Sequence, residues 1–251
     1  LKELGCCPSS TRYMGDSQDP EARLKRQRDD LRLLNQVMRH DIRNDLQLVE
    51  AYAELLDDHV DEEGESYLEI IKENTESAVG LTTTVRDLSR VMLRDDAEPE
   101  IVGLDRVLTQ QVEEVRSSYS EAVFTVDGSI PSIEVLADEM LGSVFRNVMR
   151  NAVQHNDETP AVVDVTTRVD EPDQAAVVRI ADNGPGVPQA QREEIFGKGE
   201  KGLDSPGAGV GLYLVRSLVE GYGGEVWVED NDPKGSVVVI RLPLATWASS
   251  A

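Results

Sequence analysis

The sequence predicts two domains: an α-helical hairpin that becomes a four-helix bundle on dimerisation, followed by an α/β sandwich. Three observations carry this reading. Over residues 20–94 apolar residues recur at helical spacing in two long runs with one short polar turn between them. Asp95-Asp96-Ala97-Glu98-Pro99 then interrupts the pattern as a charged linker. Over residues 100–246 helical and strand-like runs alternate. With 251 residues, each half is long enough to bury a core.

Residues 1–19 carry Gly, Pro, Ser and Asp without apolar periodicity and read as a flexible lead-in; residues 247–251 read as a tail. Pro20 suits a first helical turn. From there Leu24, Leu31, Leu34, Met38, Ile42, Leu46, Val49, Ala53, Leu56 and Val60 mark one stripe. From Leu46 the steps alternate three and four, as a bundle seam requires. Around His40 they run four, four, four, a stutter-like shift that unwinds a supercoil locally. Gly64 is read as the breaker of the turn at Asp61 to Glu65, and Ser66 and Glu69 as a capping box for the second helix. Tyr67, Ile71, Asn74, Ala78, Leu81, Val85, Leu88 and Met92 continue the seam. One hairpin cannot enclose that seam, so residues 20–94 predict a homodimer.

Beyond the linker, helices are expected over Leu104 to Val115, from Asp138 as cap through Ala152, and over Val210 to Glu220. Strands are expected at Ala122 to Val126, Ile133 to Leu136, Val162 to Val169, Ala175 to Ala181, Glu225 to Glu229 and Ser236 to Leu242. One mixed sheet with helices on one face is the architecture these elements imply.

Charge and cysteine usage narrow the setting. There are 25 basic and 48 acidic residues, net −23. Such a surface repels nucleic acid and anionic lipid. Abundant carboxylate with scarce lysine resembles proteins of extreme halophiles, in which molar salt screens the repulsion. No run reaches the roughly 18 apolar residues of a membrane span, and no signal peptide opens the chain. Cys6 and Cys7 are adjacent, which suits neither a disulfide framework nor zinc. The expected location is the cytoplasm. The chain opens on Leu1, which leaves room for a sensor or membrane segment upstream.

Five stretches carry chemistry. At about 100° per helical residue, Met38 and Ile42 share a face while His40 looks outward, with Asp41 next to it and Asn44 one turn beyond on the same side. Asn147, Asn151 and His155 recur at steps of four beside an apolar helix face, where neutral amides can hold a hydrated divalent cation and phosphates. Asp182-Asn183-Gly184-Pro185-Gly186 ends a buried strand; a carboxylate there can accept from an exocyclic amine, and the glycines let backbone approach a flat ring. Gly197 to Ser205 is a polar, glycine-rich segment long enough for a lid, and it holds the scarce lysines Lys198 and Lys201. Gly207-Ala208-Gly209-Val210-Gly211-Leu212 opens a helix and makes a phosphate cradle. It matches neither the dinucleotide fingerprint nor the Walker loop.

In this order and spacing the stretches resemble the transmitter core of a sensor histidine kinase of two-component signalling. His40 to Asn44 is similar to that family's H box, Asn147 to Asn156 to its N box, Asp182 to Gly186 to its G1 box, Ile195-Phe196 to a short F box and Gly207 to Leu212 to its G2 box. The likeness covers residues 20–243. It departs at Asp45, where the H box often has proline.

The resemblance implies a Bergerat-type ATP-binding fold for the second domain, ATP and Mg²⁺ as cofactors, and a response regulator receiver domain as partner. It implies His40 as phosphoacceptor, Asp41 as general base and Asn44 as the residue that positions a hydrolytic water when the regulator is dephosphorylated. Asn151 would ligate Mg²⁺, Asn147, His155, Lys198 and Lys201 would serve the phosphates, and Asp182 the adenine amino group. Gly184, Gly186, Gly207, Gly209, Gly211 and Leu212 would shape the nucleotide site and its lid. Two other classes share parts of this pattern: an ATPase of the wider nucleotide fold, which has no need of His40, and a phosphotransfer scaffold with a degenerate nucleotide site.

Overall fold

A computed structural model describes residues 42–93, 99–128, 130–197 and 210–245. The predicted lead-in and tail, and the linker except Pro99, lie outside them. Helix α1, described over 42–56, passes into a 3₁₀ turn at Asp57–His59, and α2 spans Glu62–Leu93. Arg43 and Glu50 of α1 line one cleft with Thr83, Arg86 and Val79 of α2, the pairing of two antiparallel helices. Lys72 pairs with Asp57 near the turn.

The start of α2 corrects the expected capping box. Val60 is extended, with φ −113° and ψ 161°. Asp61, the next residue, accepts the Gly64 N–H on Oδ1 at 3.0 Å, the bond an N-cap makes to the third helical residue. Gly64 is therefore helical; a Cβ at that position would stand 2.7 Å from the Val60 Cβ. Ser66 and Glu69 fall inside the helix because Asp61 has already capped it.

Ala53, Leu68 and Thr75 are buried, whereas Tyr52, Leu55, Tyr67 and Ile70 stay more than half exposed. Scattered exposed apolar residues are ordinary, but a run of them along two paired helices marks an interaction face.

The second domain begins with β1 (Glu100–Gly103), α3 (Leu104–Ser118), β2 (Val123–Asp127), β3 (Glu134–Ala137) and α4 (Leu141–Gln154). It continues with β4 (Val162–Asp170), β5 (Ala175–Asp182), α5 (Val210–Gly221), β6 (Glu225–Asp230) and β7 (Ser236–Pro243). The main sheet has the order β2-β4-β5-β7-β6, with β2 and β4 parallel and the other pairs antiparallel. The expectation of one sheet is corrected in one respect: β3 pairs with β1 as a separate two-stranded ribbon. Strand β1 is four residues long with its first two exposed, too short to alternate legibly.

Helices α3, α4 and α5 cover one face of the main sheet. Leu104, Leu108, Phe145, Met149, Leu214 and Ile240 are fully buried there. The period of two sorts β5 between faces: Ala176, Val178 and Ile180 join this core, and Val177 joins Val237, Val239 and Trp227 on the outer side. Asp138 accepts the Met140 N–H at 2.6 Å, so it caps the turn that leads into α4.

Although the linker separates the domains in sequence, α2 packs on α5, and its Thr84 and Asp87 side chains hydrogen-bond to α4. Leu88 and Val91 rest against the sheet-domain core. Asp87 is 1 % exposed and its Oδ2 accepts from Ser143 Oγ at 2.7 Å and Arg146 Nη2 at 3.1 Å, both on α4. Arg86 Nε donates to Oδ1 at 2.9 Å. Truncating one member of such a buried pair strands the other, at a cost of about 3–5 kcal/mol.

Candidate nucleotide-binding site

The site is built at the end of β5. Asp182 closes that strand, and Oδ1 accepts the N–H groups of Gly184 at 2.9 Å and Ser236 at 3.2 Å. Oδ2 accepts the Ser236 hydroxyl at 2.6 Å. A carboxylate offers about four acceptor positions, so three local donors fix its plane and leave capacity for a ligand's N–H.

The turn after Asp182 is held by its neighbours. Asn183 Oδ1 accepts the Val162 N–H and Asn156 Nδ2, both at 2.8 Å. Gly186 has φ +77° and Gly235 φ +113°, conformations that glycine alone adopts freely. A side chain at Gly186 would meet the Gly235 carbonyl at 3.0 Å, and one at Gly235 would overlap the Asp182 carbonyl. These two glycines let the loop before β7 lie directly on the strand end that carries Asp182.

Helix α4 supplies the facing wall. Asn147 is buried; its Nδ2 donates to the Ser143 carbonyl at 2.7 Å, and the Thr84 hydroxyl of α2 reaches its Oδ1 at 3.3 Å. Gly211, in the first turn of α5, comes so close that a Cβ there would stand 3.0 Å from the same Oδ1. Asn151 lies one turn further along α4 and its side chain has no hydrogen-bond partner among the described residues. That unengaged amide fits a cation shared with phosphate oxygens and water, since Mg²⁺ keeps several waters and takes few protein ligands.

His155 follows at the helix C-terminus. Its edge is exposed, yet crowding by protein atoms lowers the imidazole pKa below the usual value, because burial penalises the charged form. The neutral form of the ring is therefore favoured at pH 7. A ¹⁵N or ¹H titration of the ring should give a midpoint below about 6.5. The unfolded state takes up the proton first, so stability should fall as the pH drops through that value.

Asn147, Asn151, His155, Asp182, Gly186, Gly211 and Leu212 thus line one cavity of about 460 Å³, in the range of small-molecule sites. Gly184 adjoins it through its bond to Asp182. Ser77, Gly80, Leu81 and Thr84 of α2 also line it, so the hairpin closes one side of the pocket. Among the described residues no three or more His, Cys, Asp or Glu cluster as a metal site. Lys198, Lys201, Gly207 and Gly209 lie outside the described residues, as do His40 and Asp41; Asn44 is exposed on α1.

Sequence reasoning missed Ser236, Gly235 and Thr84. A small hydroxyl residue after Lys234-Gly235, at the start of the apolar run Val237 to Leu242, was the available signal for the first two. Thr84 had none, being one threonine among three in a row.

Comparison with known proteins agrees with this architecture. The family model "His Kinase A (phospho-acceptor) domain" matches residues 30–93. The family model "Histidine kinase-, DNA gyrase B-, and HSP90-like ATPase" matches residues 137–246. Among curated relatives, the adaptive-response sensory kinase SasA of Prochlorococcus marinus (strain MIT 9303) is 24% identical over 187 residues, 72% of this chain and 50% of that protein. The phytochrome-like protein Cph1 of Synechocystis is 24% identical over 234 residues, 88% of this chain and 30% of that protein. The chain thus spans half or less of the length of these relatives.

Two solved structures are similar to it. The mycobacterial sensor histidine kinase MprB is 29% identical, with TM-score 0.53, covering 58% of this chain and 97% of that one. Full-length ShkA in complex with AMPPNP is 26% identical, with TM-score 0.57, covering 84% of this chain and 46% of that one. No described helix is long and apolar enough to cross a membrane. With a phosphoacceptor domain followed by an ATPase domain of this fold, the chain belongs to the sensor histidine kinases and forms their transmitter core.

Proposed function

We propose that this chain binds Mg-ATP in the cavity between β5 and α4, phosphorylates His40, and passes the phosphoryl group to an aspartate of a response regulator receiver domain. The observation that carries the proposal is the Asp182 carboxylate, fixed by Gly184 and Ser236 across the pocket from Asn151, in a cavity whose side is closed by the hairpin of the phosphoacceptor domain. Asp182 would accept the adenine amino group. Asn151, with Asn147 beside it, would hold Mg²⁺ against the phosphates, where the ion neutralises charge. In the transfer, the bond from the γ-phosphorus to the ADP oxygen breaks and a bond to a ring nitrogen of His40 forms. Asp41 takes the imidazole proton and ADP leaves. Such transfer rests mainly on positioning and charge neutralisation.

The apolar face of Tyr52, Leu55, Tyr67 and Ile70 supports a homodimer through residues 20–94, because a second hairpin would remove it from water. The excess of carboxylates, net −23, supports work in high salt.

The test is incubation with γ-labelled Mg-ATP in molar potassium chloride. Acid-labile label retained on the protein is the expected result. ATP hydrolysis without retained label would replace the proposal with the ATPase reading, and absence of nucleotide binding by the folded protein would leave a scaffold. Asn44→Ala should retain most of the labelling while regulator dephosphorylation falls about 10-fold or more, the scale of losing a group that orients a reacting water; equal loss of both would contradict the role.

A further inference from the structure

Gly80 stands in the interior of α2, a helix of 32 residues. A mid-helix glycine costs about 1 kcal/mol relative to alanine, so the position calls for a cause. The cause lies across the domain interface. The guanidinium of Arg150 from α4 rests against the bare Gly80 backbone, and a methyl group on Gly80 would overlap Cζ and both terminal nitrogens. Gly80 is buried at this contact and Arg150 is half-buried.

Arg150 is also unpaired. Among the described residues it has no hydrogen-bond or ion-pair partner, in a chain with 48 acidic and 25 basic residues. Arg146, one turn earlier on the same helix, is held by Asp87. A guanidinium carries five donors in a fixed fork and binds phosphate in bidentate fashion.

Its location joins two spaces. Arg150 lines the nucleotide cavity, next to Asn151 in the chain. It also lines a second, polar cavity of about 540 Å³ between hairpin and sheet domain, with Arg43, Glu50, Arg86, Glu114 and Arg146. Arg43 and Glu50 belong to α1, and Arg43 follows His40 by three positions in the sequence, so this second cavity reaches α1.

We propose that Arg150 is a further catalytic residue for phosphoryl transfer, seated on Gly80 so that its guanidinium meets the terminal phosphoryl group as it leaves ADP, on the side that opens toward α1. The inference rests on the kinase reading above. Gly80 is the notch that admits the guanidinium.

The experiment measures labelling rates against ATP concentration, and the Kd of a fluorescent ATP analogue, for wild type, Arg150→Ala, Arg150→Lys, Gly80→Ala and the Gly80→Ala/Arg150→Ala double variant. Arg150→Ala should lower the saturating rate at least 10-fold while KM and Kd stay within threefold, which also shows the variant to be folded. Arg150→Lys should restore little, because an ammonium cannot reproduce the fork. Gly80→Ala should lower the rate in the native background and cost little more once Arg150 is gone, since its methyl acts by displacing that side chain.

An Arg150→Ala rate that is unchanged or raised, a rate that falls in parallel with nucleotide affinity, or a Gly80→Ala loss that is as large without Arg150 would overturn the proposal. A wild type that takes up no label would instead refute the kinase reading, so the two failures are distinct.

Discussion

His40→Ala should leave the protein with no acid-labile phosphate while its affinity for ATP stays within twofold of wild type. The variant removes the nitrogen that receives the phosphoryl group, so the loss should exceed 10³-fold, the sensitivity of ordinary labelling. Among the described residues, those lining the nucleotide cavity come from α2, α4, α5, β6 and the segments around β5 and β7, so nucleotide binding should survive the substitution. Asn151→Ala should also lose label, for a different reason. Its amide is a group on the α4 wall that, like Arg150 next to it, no described protein atom engages, and its removal would take away a ligand for Mg²⁺ and the phosphates. A fall of roughly 10²–10³ in rate is the scale for losing one such electrostatic contact, and ATP affinity should fall with it. Filter-binding counts before and after acid treatment, beside a nucleotide titration, separate the two variants. Label in His40→Ala at wild-type level would place the acceptor elsewhere.

Asp182→Ala should abolish measurable ATP binding, a decrease of at least 100-fold, equivalent to about 2.7 kcal/mol. Two losses add. The adenine amino group loses its acceptor, and three protein donors, the N–H groups of Gly184 and Ser236 and the Ser236 hydroxyl, lose theirs in a largely enclosed site. Stranded donors cost about 1–3 kcal/mol each, so the melting temperature should fall too. Asp182→Asn separates these effects. Its carbonyl can still accept the two N–H groups and its amide can donate to the Ser236 oxygen, so stability should remain nearer wild type. The acidic acceptor for the base is gone, so nucleotide affinity should still be lost. Differential scanning fluorimetry with and without Mg-ATP measures both. Tight binding by Asp182→Asn would show that the base does not depend on the carboxylate charge.

Much of this architecture was legible because periodicity depends on local geometry. Alternating residues around Val178 and Ile180, and three-four steps from Leu104 to Val115, state which face is apolar, and the elements formed within a few residues of expectation. The boundaries that shifted did so through single competing bonds, as when Asp61 capped α2 ahead of Ser66. The candidate site was legible as four clusters because each belongs to one local element. Their meeting was inferred by resemblance, since spacing in a chain does not state a distance in space.

What the sequence by itself determined was the hairpin, the alternation of helices and strands, and the residue types able to hold a nucleotide. Tertiary structure alone decided that Ser236 would orient Asp182 from 54 positions away, that Gly235 would be pressed against the strand end, and that Asp87, Thr84 and Gly80 of the hairpin would close on Arg146, Asn147 and Arg150. The physical reason is common to all of them. Each is a contact between residues far apart in the chain, set by how two packed surfaces register, and neither partner carries a local pattern that names the other.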